Sequence, residues 1–288
     1  MRILVTGGSG FVGRAICRLL ASRHDLLVLT RSDGVAVPGT RLVGDLGRPA
    51  AWRDEVIRFA PDCCVHLAWE GLPDYSFATS HRNFEAGLAL FDMLRGTSCR
   101  KVVGMGSCWE YGDVAGSVSE GTAPGRQGLF AAFKSATYAV GRPLLAENGI
   151  GLAWLRPFFI YGPGQRATSL IPSCIEEVAA GRPPAVRTPE AINDFIHVDD
   201  VATATAAVLE TERAEGIYNV GSGRPTRVGD VVNLVCRHLG RPAAFPAGDG
   251  GKGFWADTAR IVGDTGWSAR VSLESGVAAL VQTGKTSV

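Results

Sequence analysis

The sequence predicts an α/β fold in which a doubly wound parallel sheet carries a smaller C-terminal α+β lobe. Three observations predict it. Residues 2–13 run from a short apolar segment, Ile3-Leu4-Val5, into glycines at 7, 10 and 13, and helical periodicity follows over 14–21. Strand-like and helix-like segments then alternate, with short connections, as far as Pro157. From Tyr161 onward the pattern loosens into Gly/Pro-rich connections around helices, which is how a second, smaller lobe would read.

Each element has its own signal. The apolar run at 25–30 predicts a second strand ending at Arg31-Ser32, and a short third strand at 41–43 leads into Gly44-Asp45-Leu46. Helical spacing covers 54–59, 84–94 and 129–147, while 63–68, 101–105 and 151–155 read as buried strands, the last closed by Arg156-Pro157. In the second half, helices are predicted at 169–180, 199–210, 228–239 and 273–281. Asp199 and Asp200 sit favourably at the start of the second of these. A strand at 216–220 is expected to return to the large sheet. The resulting division is 1–160 plus about 194–222 for the sheet domain, and about 161–193 plus 223–288 for the lobe. The last few residues are expected to be disordered.

A strand entering a helix through glycines brings free backbone N–H groups and the positive end of the helix to one point, which suits a pyrophosphate. Glycine supplies the tight turn, the close approach and the helix–sheet contact. This is the fingerprint of a Rossmann-type dinucleotide site, with Gly7, Ser9, Gly10, Phe11 and Val12 around the phosphates. In such sheets ligands lie beyond the carboxyl ends of the strands, so Gly7, Arg31, Asp45, Ala68, Ser107 and Pro157 are expected around one cleft. The second strand ends on Thr30-Arg31-Ser32 and meets no acid until Asp33. A base there accommodates the 2′-phosphate of NADP, whereas an acid would bind the ribose hydroxyls of NAD. The expected cofactor is therefore NADP, with NAD second. Asp45 and Leu46 are placed for the adenine, although Asp45 also reads as a turn residue.

Composition excludes several classes. The 288 residues carry 29 basic and 28 acidic side chains, and a net charge of +1 gives no electrostatic footprint for nucleic acid. No apolar run is long enough to cross a bilayer, and Met1 leads directly into a strand, so a cytoplasmic protein without membrane contact is expected. The seven cysteines, at 17, 63, 64, 99, 108, 174 and 236, lack metal-ligand spacing and read as buried reduced thiols. No metal site is expected.

Eight pieces, in order, resemble one family. They are TGGSGFVG (6–13), VHLAW (65–69), Asn83, GSCWEYG (106–112), LRPFFIYGPGQ (155–165), DFIHVDDVA (194–202), YNVGSG (218–223) and ADTARIVGDTGWS (256–268). Together they span nearly the whole chain. On them the chain resembles the extended short-chain dehydrogenase/reductases, the NAD(P)-dependent epimerase/dehydratase group acting on nucleotide sugars. The resemblance implies that Leu67, Ala68 and Trp69 border the cofactor and that Pro157 and Phe159 line the nicotinamide. It implies a nucleotide-diphosphate sugar as substrate, and a homodimer formed through the helices around 84–94 and 129–147.

The family's chemistry uses a Ser or Thr together with a Tyr four residues before a Lys. The phenol moves the proton, the Lys lowers the phenol's pKa and holds the nicotinamide ribose, and the hydroxyl polarises the sugar oxygen. Ser107 and Lys134 occupy two of these positions. The Tyr position is Phe130. A phenyl ring fills the slot and transfers no proton. The sequence is expected to represent a Tyr-to-Phe variant with impaired activity. Two alternatives stand beside it: a member using Glu110, Tyr111 or Cys108 as its acid, and a catalytically silent NADP(H)-binding protein. Tyr138, two turns along from Phe130, reads as a helix-surface or core tyrosine.

By resemblance the reaction is further narrowed. The family's 4,6-dehydratases carry Asp-Glu directly after the Ser/Thr, where this chain has Cys108 and Trp109. Epimerases of the GDP-fucose synthase type place a Cys two residues after the Ser, whereas Cys108 follows at one. Simple hydride transfer remains, and the chain is most similar to 4-ketoreductases of NDP-4-keto-6-deoxyhexoses, with a nucleotide-sugar epimerase of the same family as alternative. In the lobe, the family's phosphate-binding Arg is replaced by Asn193, and Arg166, Arg187 or Arg260 is available to supply the charge. Cys108, Trp109 and Trp255 complete the expected substrate contacts. His197 reads as structural.

Overall fold

A computed structural model describes residues 1–285, so the expectation of disorder in the last few residues lies mostly outside it. The first half contains strands β1 (Arg2–Thr6), β2 (Asp25–Thr30), β3 (Thr40–Val43), β4 (Cys63–His66), β5 (Lys101–Met105), β6 (Gly116–Val118) and β7 (Gly151–Pro157). Between them lie helices α1 (Phe11–Leu20), α2 (Arg53–Phe59), α3 (Phe77–Leu94) and α4 (Leu129–Ala146). The second half adds β8 (Phe159–Tyr161), α5 (Leu170–Ala179), β9 (Ile192–Asn193), β10 (Phe195–His197), α6 (Val198–Glu210), β11 (Gly216–Val220), β12 (Thr226–Arg227), α7 (Val228–His238), β13 (Phe254–Ala256), α8 (Ala259–Thr265) and α9 (Leu273–Lys285).

Seven strands form one sheet in the order β11-β7-β5-β4-β1-β2-β3, every neighbouring pair parallel. The predicted doubly wound sheet and the return of 216–220 to it are therefore present. The strands are apolar almost throughout because both faces are covered. One core packs α1 and α6 against the sheet through Ile3, Val5, Ile16, Leu20, Val201 and Leu209. The other packs α2, α3 and α4 through Leu4, Leu27, Val56, Leu90, Phe91 and Trp154. A third cluster lies among α5, α7 and α9, built on Ile171, Val178, Val231, Val235 and Val277. Ile261 and Trp267, between α7 and α9 in the chain, pack instead into the first core.

Chain order reverses between β1 and β4, so the loops after these strands part and open a crevice. Helix α3 starts seven residues before the predicted 84, at Phe77. Ser76 caps it by accepting from the Thr79 N–H at 3.3 Å. The apolar period misses this first part because Phe77 is 58% exposed. After β5 the chain forms a short 3₁₀ turn over Cys108–Tyr111 that was not predicted. All seven cysteines are free and buried, and no helix among the described residues is long and apolar enough to cross a membrane.

Candidate active site

The crevice is a cleft of about 630 Å³ bordered by Gly7, Ser9, Gly10, Arg31, Asp45, Leu46, Leu67, Ala68 and Trp69. Two of the fingerprint glycines, Gly7 and Gly13, are required by contact. Gly7 has φ +74°, and a Cβ there would lie 2.6 Å from the Ala68 nitrogen; at Gly13 it would lie 2.1 Å from the Gly7 oxygen. Helix α1 starts directly after Gly10, with no side-chain cap and no acid in its first turn. The N–H groups of Phe11, Val12 and Gly13, unpaired within the helix, thus remain available to an anion. These features fit a dinucleotide pyrophosphate.

At the far side of the cleft, Arg31 Nη1 donates to Glu70 Oε2 at 2.6 Å, an ion pair whose side chains are 71% and 42% exposed. Glu70 is itself pinned: its N–H donates to Asn83 Oδ1 at 2.8 Å, and Asn83 Nδ2 donates back to its carbonyl at 3.0 Å. Sequence reading singled out Arg31 and missed its partner 39 positions away. Asp45 Oδ1 accepts from the Gly47 N–H at 2.9 Å, the turn arrangement, so that oxygen is engaged by its own loop. Ser32 is exposed, and its carbonyl accepts from Thr30 Oγ1.

Next to the cleft stands Lys134. Its Nζ donates to the Met105 carbonyl at 2.6 Å and lies 4.4 Å from the centre of the Trp69 ring. Only 6% of the residue is exposed, and this burial pulls its pKa down to about 8 against the opposing pull of Glu110. Burial, and after it the same ammonium, lowers the His66 pKa to about 3 and holds the ring neutral. Phe130, one turn before Lys134 on α4, presents to the same place. Its ring lies edge-on to Trp69 (centroids 5.2 Å apart), Tyr75 (5.3 Å) and Trp109 (5.9 Å). Tyr75 escaped the sequence reading because it sits in a loop where no periodicity marks direction.

Ser107 caps the 3₁₀ turn, its Oγ accepting from the Trp109 N–H at 3.2 Å while its own N–H donates to Glu110 Oε1 at 2.8 Å. The turn buries Cys108, Glu110 and Tyr111 and leaves Trp109 outside. Trp109 is 43% exposed and faces Phe130, but Cys108 is 3% exposed, packed with Val118, Phe158 and Ala256. Burial pushes the Cys108 thiol well above its ordinary pKa. The expected substrate contact of Cys108 is therefore corrected: it is a core residue. The three alternative acids fare no better. Glu110 is fully buried and accepts from Trp154 Nε1 and Arg156 Nε, both at 3.0 Å. Tyr111 is fully buried and donates to Asn219 Oδ1 at 2.6 Å, its pKa pushed up to about 12 chiefly by burial. Tyr138 is half-buried and packs on Trp154.

The remaining expected contacts are dispersed. Pro157 is buried, at the end of β7, paired with Val220. The Phe159 ring packs between Phe195 and Phe254, turned into the lobe and not toward the cleft. Asn193 pairs with Thr226 through β9 and β12, and Trp255 is half-buried on β13. Arg166 and Arg187 are exposed. Arg260 is committed at the opposite, N-terminal end of β11: it donates to the Glu215 carbonyl at 2.9 Å and lies over the Tyr218 ring. His197 is structural, accepting from the Asp199 N–H at the start of α6.

Residues 3–221 match the NAD dependent epimerase/dehydratase family. The dTDP-L-rhamnose 4-epimerase of Burkholderia thailandensis is 27% identical over 97% of this chain and 93% of its own. The GDP-6-deoxy-D-mannose reductase of Pseudomonas aeruginosa is 26% identical over 100% of this chain and 98% of its own. Among solved structures, MoeE5 in complex with UDP-glucuronic acid and NAD is 25% identical, with a TM-score of 0.86 and full coverage of both chains.

Proposed function

Because the chain belongs to the NAD dependent epimerase/dehydratase family, we propose that it reduces a nucleotide-linked 4-keto-6-deoxyhexose with NADPH. The observation that carries this reading is the Lys134 ammonium held between the Met105 carbonyl and the Trp69 ring, beside Phe130 and at the end of the strand that leads into Ser107. A reduced nicotinamide supplies a hydride when bound. Lys134 would hold the nicotinamide ribose, and Ser107 Oγ would polarise the sugar oxygen. Elimination, and epimerisation by deprotonation beside a ketone, need a second proton-handling pair, and Glu110 and Cys108 are tied up in the core. A relative named as a reductase, of nearly the same length, supports the same choice. Phe130 in the phenol's place lowers the rate below that of a Tyr-bearing relative. The lobe of about 161–193 and 223–288 would hold the nucleotide diphosphate, and a homodimer would form through α3 and α4, where Phe77, Leu129 and Val140 are exposed. Free buried thiols suit the cytoplasm.

The test is NADPH oxidation with CDP-, dTDP- and GDP-4-keto-6-deoxyhexoses, using the chain beside Phe130→Tyr. Slow turnover that Phe130→Tyr raises by about 10-fold or more supports the reading. Dinucleotide binding without turnover in either form is the result expected of a silent binding protein instead.

NADP preference rests on Arg31, which must leave Glu70 to meet a 2′-phosphate. Glu70→Gln is expected to tighten NADPH by about 2- to 5-fold, the weight of an exposed ion pair, with NADH unchanged. Fluorescence titration of both nucleotides reads the difference, and an equal shift for the two would remove Glu70 from cofactor choice.

A further inference from the structure

We infer that Tyr75 is the proton donor of this site, in place of the phenol that Phe130 lacks; the inference rests on the reductase reading above. Four aromatic rings meet beside Lys134, and Tyr75 packs on two of them: Phe130 at 5.3 Å and Trp109 at 5.4 Å between centroids. Of Trp69, Tyr75, Trp109 and Phe130, only Tyr75 carries a hydroxyl that can give and regain a proton. It is 39% exposed, so water reaches it, whereas Phe130 is 8% exposed.

The loop that bears Tyr75 is braced on both sides. The Asp74 carboxylate accepts from the Ser76 N–H at 2.9 Å, from Ser76 Oγ at 3.1 Å and from Thr79 Oγ1 at 2.5 Å. These bonds hold Asp74 below the usual carboxylate range, hence ionised at neutral pH. Ser76 in turn caps α3. Tyr75 thus stands between two anchored residues, in a position fixed relative to α4 by the ring contacts. The alternatives near Ser107 are each committed elsewhere: Glu110 to Arg156 and Trp154, Tyr111 to Asn219, Cys108 to the apolar cluster behind the turn.

In the reduction, hydride from a reduced nicotinamide dinucleotide bonds to the carbonyl carbon and the C=O π pair moves to oxygen. That oxygen takes the Tyr75 proton as the phenol O–H breaks. Water then returns a proton to the phenolate, so the alcohol product leaves the side chain as it began. The cofactor ends oxidised and the sugar reduced by the same two electrons.

Four proteins test the assignment: the chain itself, Tyr75→Phe, Phe130→Tyr and the double variant, each checked for melting temperature and for NADPH affinity by fluorescence. Tyr75→Phe is expected to lower kcat at least about 30-fold, with KM and NADPH affinity within about 3-fold, and Phe130→Tyr is expected to restore turnover in the double variant. Undiminished kcat in Tyr75→Phe overturns the assignment. So does a loss that Phe130→Tyr does not rescue, because it marks a packing role. A silent parent beside an active Phe130→Tyr leaves the reductase reading standing and removes Tyr75 alone. Four silent proteins that bind NADPH remove both.

Discussion

Replacing Lys134 by methionine is expected to lower turnover by about 10²–10⁴-fold while the fold survives. The ammonium is 6% exposed, bonded to the Met105 carbonyl and set over the Trp69 ring. Methionine reproduces the side chain as far as Cε and fills most of the same space without a charge to desolvate. Burial, opposed by Glu110, brings the Lys134 pKa to about 8. In the unfolded chain the group titrates at about 10.4. Below about pH 8 both states hold the proton, and the fold carries the whole cost of the buried cation, of order 3 kcal/mol. Between about 8 and 10.4 the unfolded state binds more protons, so stability rises with pH until both forms are neutral. Melting curves at pH 7 should therefore place Lys134→Met at or above the parent, and at pH 10 the difference should shrink. Activity runs the other way. Turnover that depends on the cation falls about tenfold per unit above pH 8, and the residual turnover of Lys134→Met lacks that limb. A variant that unfolds at pH 7, or keeps full kcat, would contradict this account.

The parts of this picture that could be read from the chain are those where one residue's neighbours in sequence are also its neighbours in space. The glycines at 7, 10 and 13, the alternation that builds the parallel sheet, and the one-turn relation of Phe130 to Lys134 are all local, and period or spacing reveals them. What the sequence concealed is long-range or directional. Nothing near Arg31 announces Glu70, which reaches it only because β2 and β4 flank β1 in the sheet. Cys108 and Trp109 are adjacent, yet a single 3₁₀ turn sends one into the core and the other toward Phe130. Phe159 belongs to the segment expected to line the nicotinamide, yet β8 turns its ring to Phe195. Tyr75 lies in a loop, where neither period two nor period 3.6 applies. It comes to the site through the braced turn at Asp74 and Ser76.

Replacing Glu110 by alanine is expected to cost about 3–5 kcal/mol, the weight of breaking a buried charge pair from one side. The carboxylate has no exposed surface and is the meeting point of three donors: the Ser107 N–H at 2.8 Å, Trp154 Nε1 at 3.0 Å and Arg156 Nε at 3.0 Å. Its removal strands the Arg156 guanidinium, which has 10% side-chain exposure, and leaves two buried N–H groups without an acceptor. For a chain of this length the melting temperature should fall by roughly 10 °C. Burial raises the Glu110 pKa despite Arg156, so the carboxylate is less easily ionised inside the protein than in the unfolded chain. Its ionisation therefore subtracts stability as pH rises from the unfolded value toward the folded one, and Glu110→Gln should flatten that acid-side slope. The substitution also decides a point of mechanism. If Glu110 donated the proton, Glu110→Gln would abolish kcat in a protein that melts normally. The bonds described here require the reverse: a lowered melting temperature, with kcat per folded molecule reduced less than by Tyr75→Phe. Gly106 gives an independent check, because a Cβ there would stand 2.3 Å from Glu110 Oε1 and 2.4 Å from Trp154 Nε1. Gly106→Ala should therefore destabilise the same cluster from the opposite side while leaving every ionisable group in place.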